Sequence, residues 1–164
     1  MILGFLSCTG IPDGLETIKE FNADKYIGKW YEIARYDHSF ERGLINVSAE
    51  YSFREDGGIK VVNKGFNADK KKWKEAEGKA FFLNGKDEGR LKVSFFGPFY
   101  GAYNIIALDK EDYSWSIICG PDRTYFWILA REKELEPFLL EELLAKAESM
   151  GFSRTEMIFV DQQQ

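Results

Sequence analysis

Across 164 residues the side chains best suited to catalysis are scarce: one histidine, His38, and two cysteines, Cys8 and Cys119. A nucleophile with its base, or a zinc site, needs several such groups. The sequence holds no Cys-x-x-Cys pair, no His-Glu-x-x-His run and no glycine-rich phosphate loop. Hydrolysis and metal binding are therefore not expected, and no cofactor is implied. Cys119 ends a strand-like apolar run and reads as a small packed hydrophobe rather than a reactive thiol. His38 falls in the loop-like stretch Asp37 to Gly43 with Phe40, Glu41 and Arg42, where it either meets an anionic group of a ligand or faces water. The pairing with most physical content is Gly28-Lys29-Trp30 with the distant Arg131. Glycine removes the Cβ where a chain turns tightly into a strand, and a guanidinium stacks on an indole face. Together they suit the plugged end of a closed β-barrel. Glu32 shares the two-residue parity of Trp30, so it points inward, where it needs a buried hydrogen-bond partner.

The first eight residues, Met1-Ile2-Leu3-Gly4-Phe5-Leu6-Ser7-Cys8, are apolar up to a small residue and a cysteine, unlike the charged sequence that follows. They read as targeting rather than fold. Leu6-Ser7-Cys8 resembles the lipobox of bacterial lipoproteins, which implies a diacylglycerol on the Cys8 sulfur once the preceding segment is removed. Thr9 in place of aspartate resembles lipoproteins sorted to the outer membrane. The run departs from that pattern in its lack of Lys or Arg, its shortness and its Phe5, as a truncated signal would. A lipid on Cys8 excludes a disulfide to Cys119. No later segment approaches the ~20 apolar residues that cross a bilayer, so the expected membrane link is that lipid. Residues 1–19 are accordingly read as residual signal, anchor and N-terminal tail, and residues 20–161 as one undivided domain.

Those elements must be strands. Hydrophobic residues make up 45% and aromatic residues 16% of the chain, enough for a packed core, and aromatic side chains favour pleated surfaces. A net charge of −5 and a pI near 5.1 argue against nucleic acid as a partner, and Lys70-Lys71-Lys72 beside Trp73 reads as a solvated strand start. Val47, Ala49, Tyr51 and Phe53 alternate with polar residues, and Asp56-Gly57-Gly58 then marks a hairpin turn. Ile59 to Gly65, Trp73 to Leu83, Leu91 to Phe95, Tyr100 to Leu108, Trp115 to Cys119 and Thr124 to Arg131, with Gly28 to Tyr36 as the first, complete eight strands. The last two are apolar on both faces and need outer cover. Phe138, Leu139, Leu140, Leu143, Leu144 and Ala147 supply it as an amphipathic helix over Pro137 to Met150, stopped by Gly151. Met157 to Val160 is placed to add a ninth strand.

The expected fold is all-β: an eight-stranded antiparallel up-and-down barrel with a C-terminal helix packed on its outside. Such a barrel holds side chains or one small ligand. Parity puts Ala34, Ala49, Gly65, Ala76, Gly78, Ala80 and Ala107 inside among larger residues, which leaves the interior under-filled and favours a cavity for a long apolar ligand. The candidate lining residues are Tyr36 and Phe40 near the first loop, Ala49, Tyr51 and Phe53 on the second strand, and Val61 on the third. Ala80, Phe82, Val93, Phe95, Tyr103 and Trp127 complete the set, with Trp127 nearest the open end.

Gly28-Lys29-Trp30-Tyr31-Glu32-Ile33-Ala34-Arg35, Asn63-Lys64-Gly65, Phe95-Phe96-Gly97-Pro98-Phe99-Tyr100, Tyr103-Asn104 with Ile106-Ala107-Leu108-Asp109, and Trp127-Ile128-Leu129 with Arg131 resemble the bacterial lipocalins related to apolipoprotein D. Only Asp109 carries over from that family's middle motif, where Leu108-Asp109-Lys110 replaces Thr-Asp-Tyr. The resemblance implies a calyx for fatty acids or lysophospholipids in the cell envelope, anchored through Cys8 at the periplasmic face of the outer membrane, and is compatible with a homodimer. It assigns Gly28, Trp30, Asp109 and Arg131 to the structural motif. Two rivals stay open, a lipid-modifying enzyme on the same fold and a carrier of bilin or haem.

Overall fold

In the computed structural model, which describes residues 8–163, eight antiparallel strands close into a barrel. They are β1 (Gly28–Arg35), β2 (Leu44–Phe53), β3 (Ile59–Asn67), β4 (Lys72–Phe82), β5 (Arg90–Phe96), β6 (Phe99–Leu108), β7 (Trp115–Cys119) and β8 (Phe126–Ala130). Each pairs with its successor and β1 pairs with both β2 and β8, which joins the two ends of the sheet. A short helix, α1 (Ala23–Tyr26), precedes β1; α2 (Pro137–Ser149) and a two-residue β9 (Ile158–Phe159) follow β8. β9 pairs with Ala34 and Arg35 of β1. Because strands alternate in direction, the β1–β2, β3–β4, β5–β6 and β7–β8 connections share one end. Helix α1 lies at the other, where β1 begins.

The apolar residues separate into two layers, as the doubly apolar strands require. Trp30, Tyr51, Ile105, Leu108, Ile118 and Leu129 belong to the barrel's inner cluster. Ile117, Phe126, Ile128 and Ala130 belong to an outer one with Leu143, Leu144 and Ala147 of α2. Pro137 starts α2 with its φ already helical, and Gly151, at φ 91°, follows its end. Phe138, expected on the packed face of α2, is instead 78% exposed.

Two bulges overturn part of the parity count. In β1 the register shifts between Glu32 and Ala34, so one extra residue, Ile33, turns the rest of the strand over. Ala34 then pairs with Ile128 in the outer layer, and Arg35 pairs with the inward Trp127. In β6 the shift between Ile105 and Ala107 moves Ala107 outside as well. Neither alanine widens the lumen. Residues 8–19, expected as part of a tail, lie against β6 and the β4–β5 connection. The Cys8 carbonyl accepts from the Ala102 amide at 2.7 Å, Asn104 Nδ2 donates to the Gly10 carbonyl, and Ile18 donates to the Ile105 carbonyl.

Candidate ligand-binding site

The end of the barrel near α1 is sealed. Trp30 is fully buried, its indole donates to the Tyr26 carbonyl at 2.8 Å, and the Arg131 guanidinium lies 3.9 Å from its ring centroid. Arg131 also donates to the carbonyls of Lys25, Tyr26, Ile27, Lys29 and Tyr113. It thereby caps the α1 turn whose carbonyls lack partners within so short a helix. Gly28 is at φ 99°, and a Cβ there would come within 3.3 Å of the Arg131 Nη1. Asp109 orders the next connection by accepting from the amides of Glu111, Asp112 and Ser114 and from the Ser114 hydroxyl.

Above this plug sits a floor of tyrosines. Tyr26 Oη is 2.7 Å from Tyr103 Oη, which is 2.9 Å from Tyr51 Oη, and Ser116 joins through Tyr26. Burial pushes Tyr26 up to about 12 and raises Tyr51 and Tyr103 well above the usual phenol range, so all three remain neutral hydroxyls. Ala49, Val61 and Ala80 are buried in this lower half. Tyr103, Val93 and Trp127 are only partly buried and pack against the same cluster, as does Phe82, which ends β4 at the plugged end with its ring 6.2 Å from that of Phe21.

The lining set drawn from parity is corrected at Tyr36, Phe53 and Phe40. Tyr36 lies beyond the Ile33 bulge and faces outward, packed on Phe126 and Phe152, with its hydroxyl accepting from the Ser153 amide at 2.6 Å. Phe53 sits at the β2–β3 turn, at the Trp30 end, and is 50% exposed. Phe40 is exposed on the β1–β2 loop and stacks on His38. Phe95 does face inward, but its ring fills the place of a side chain at Gly78: a Cβ there would meet Phe95 Cδ1 at 2.7 Å. Part of the space that small residues appear to leave is thus occupied by a neighbour's ring. Cys119 is buried, with its thiol pushed up to about 12 by that burial, while Cys8 is exposed; no disulfide joins them.

The β1 bulge also brings together a polar group that parity misses. Arg35 Nε lies 3.2 Å from Glu32 Oε1 and 3.7 Å from Glu41 Oε2, all three side chains being almost fully buried. Arg35 also donates to the Tyr36 and Glu41 carbonyls, and Trp127 donates from its indole to Glu41 Oε1 at 2.8 Å. Burial and the adjacent Glu41 carboxylate hold Glu32 well above the ordinary carboxylate range, against the pull of Arg35. At the mouth, His38 stands between the Phe40 and Tyr125 rings at 5.3 and 4.5 Å, and burial lowers its basicity. It is held by stacking. The sequence signal for this group was the inward parity of Glu32, which calls for a cationic or hydrogen-bonding neighbour without naming Arg35.

A closed eight-stranded barrel plugged at one end by Trp30 and Arg131 is the architecture of a calyx. A model of the lipocalin-like domain matches residues 21–162 of the chain. The chain belongs to the lipocalin family. This lipocalin is 49% identical over 156 residues to a Vibrio cholerae protein named outer membrane lipoprotein Blc, covering 95% of the chain and 91% of that relative. It is 51% identical to the Escherichia coli protein of the same name over 92% of the chain and 85% of the relative. Bovine apolipoprotein D is a more distant relative, 33% identical over 88% of the chain and 78% of its own length. Among solved structures, insecticyanin from the tobacco hornworm Manduca sexta aligns with 94% of this lipocalin and 88% of its own chain at a TM-score of 0.75 and 20% identity, a likeness of fold.

Proposed function

We propose that this lipocalin binds and stores or carries a fatty acid or a lysophospholipid at the outer membrane, held there by a lipid on Cys8, and catalyses no reaction. The observation that carries the reading is the contrast along the barrel axis. Trp30 and Leu129 are buried toward the plugged end, whereas Trp127, on the same inward face of β8 and nearer the mouth, is only partly buried. An acyl chain laid there meets apolar walls, a hydroxyl floor and the indole of Trp127, with its polar end at the mouth. The two outer membrane lipoproteins that share about half its residues support the location. At ~0.8 kcal/mol per buried methylene, an acyl chain offers enough binding energy for micromolar affinity after the entropic losses of association.

Organic extraction of the purified protein followed by mass spectrometry tests the ligand class. Fatty acids or lysolipids in the extract are the expected result, and a coloured preparation that yields a bilin or haem instead would overturn it. Mass spectrometry of the N-terminal peptide from the membrane-extracted protein tests the anchor: a diacylglycerol mass on Cys8 is expected in the parent and absent in Cys8→Ser, and an unmodified Cys8 in the parent would overturn it.

A further inference from the structure

The connections at the mouth end carry an unusual concentration of exposed aromatic rings. Phe96 and Phe99 flank Gly97-Pro98 at the tip of the β5–β6 hairpin and are 81% and 68% exposed. Trp73, at the start of β4, is 55% exposed and lies under the Lys64 ammonium at 4.8 Å; Phe40 on the β1–β2 loop is also open to solvent. Clustered exposed apolar side chains on a soluble surface mark a partner. The same end holds Lys70 and Lys71 in the β3–β4 connection and Lys72 at the start of β4. In the mouth connections as a whole the four bases are balanced by Asp37, Glu41, Asp69 and Asp122, whereas at the opposite end the seven acids of the connections outnumber Arg54, Lys86 and Lys110. An acidic chain has thus placed its basic run beside its exposed aromatics. Cys8 lies at this end too, because its carbonyl accepts from Ala102, three residues along β6 from Phe99 and so about 10 Å from it.

We propose that the mouth end docks on a phospholipid surface, with Phe96 and Phe99 inserted among the acyl chains. Trp73 and Lys70 to Lys72 then lie at the level of the phosphates. Phenylalanine, tryptophan and lysine partition to these depths, and each lysine adds attraction to anionic headgroups. The proposal goes beyond the carrier function and gives it a geometry: the calyx opens onto the bilayer, so an apolar ligand passes between membrane and barrel without crossing water. It also sets the direction of a lipid on Cys8, which enters the same membrane face as the hairpin tip.

Flotation of the full chain carrying Cys8→Ser, which removes any anchor, with vesicles of phosphatidylethanolamine and phosphatidylglycerol tests the surface alone. The protein is expected to float with the vesicles. Adding Phe96→Ser and Phe99→Ser is expected to weaken partitioning at least about tenfold. Lys70→Gln with Lys71→Gln and Lys72→Gln is expected to weaken it on these vesicles and not on phosphatidylcholine alone. Phe138→Ser, which removes an equally exposed ring on α2, is expected to change nothing. A Cys8→Ser chain that stays with the soluble fraction, or a Phe138→Ser effect as large as that of the hairpin pair, overturns the proposal. So does a hairpin variant that turns a dimer into a monomer by light scattering while vesicles bind neither form, since a second copy would then be the occupant. Unchanged fatty-acid binding by the hairpin variant shows that it folds, and loss of fatty-acid binding in every form would instead strike the carrier reading.

Discussion

At the scale of the residue, the plugged end depends on one side chain more than motif reading suggests. Stacking on Trp30 is a fraction of what Arg131 does, because its three nitrogens make five hydrogen bonds to main-chain carbonyls, four of them between Lys25 and Lys29 and one at Tyr113. Hydrogen bonds from a charged donor contribute ~1.5–3 kcal/mol where the acceptor is otherwise buried and unmade. Arg131→Ala should therefore destabilise the fold about as much as Trp30→Ala, for which loss of a buried indole costs ~3–5 kcal/mol. Arg131→Lys should recover little, since an ammonium cannot reproduce the planar fork. Urea denaturation of the three variants checks this, and a lysine variant as stable as the parent would show the hydrogen bonds to be dispensable. Glu32 supplies a second test. Its folded-state proton affinity is raised by burial and by Glu41, so the folded chain holds a proton that the unfolded chain releases near pH ~4.3. Its contribution is fully present below that value and is lost as pH climbs through the raised folded value. Glu32→Gln, which keeps the shape of the neutral acid, should abolish that loss. The variant should gain melting temperature over the parent at mildly alkaline pH and gain less near pH ~4.

At the scale of the element, the eight strands, their order and the outer helix were legible because each rests on a local pattern. Alternation marks β2 and β3, and the doubly apolar β7 and β8 announce the need for α2. Register was not legible. A bulge inserts one residue without changing composition, so nothing in Glu32-Ile33-Ala34 warns that Tyr36 leaves the lumen or that Arg35 enters it. The same holds for Ile106, past which Ala107 joins the outer layer. Gly78 was misread for a related reason: a glycine in a strand can widen a cavity or admit a neighbouring ring, and only the fold brings Phe95 over it. The corrected place of Tyr36 yields an expectation opposite to that for a lining residue. Tyr36→Phe deletes the acceptor of the Ser153 amide and should cost ~1 kcal/mol of stability, while fatty-acid affinity measured by tryptophan quenching stays unchanged. A fall in affinity at unchanged stability would return Tyr36 to the lumen.

At the scale of the whole molecule, the barrel is divided along its axis, and the division decides which small residues are spare. Ala80 lies in the packed lower half, 4% exposed beside Val93 and Ile59, so Ala80→Trp overfills a core and should cost ~1–3 kcal/mol before any effect on ligand is read. Ala76 pairs with Asn63 four residues nearer the mouth, on the same inward face, and is only partly buried. Here β4 has run past its ladder with β5, which spans Lys79 to Phe82, so the wall itself can adjust. Ala76→Trp should therefore fill the lumen at little cost to folding. It is expected to weaken fatty-acid binding by tenfold or more, on the order of 1.4 kcal/mol, because a ring occupies the path of the acyl chain. Lys64→Ala, on the outward face of β3, should leave affinity unchanged. Titration of all three variants with a long-chain fatty acid, beside their thermal melts, separates blocked space from damaged fold. Full affinity in a stably folded Ala76→Trp would place the ligand outside the barrel.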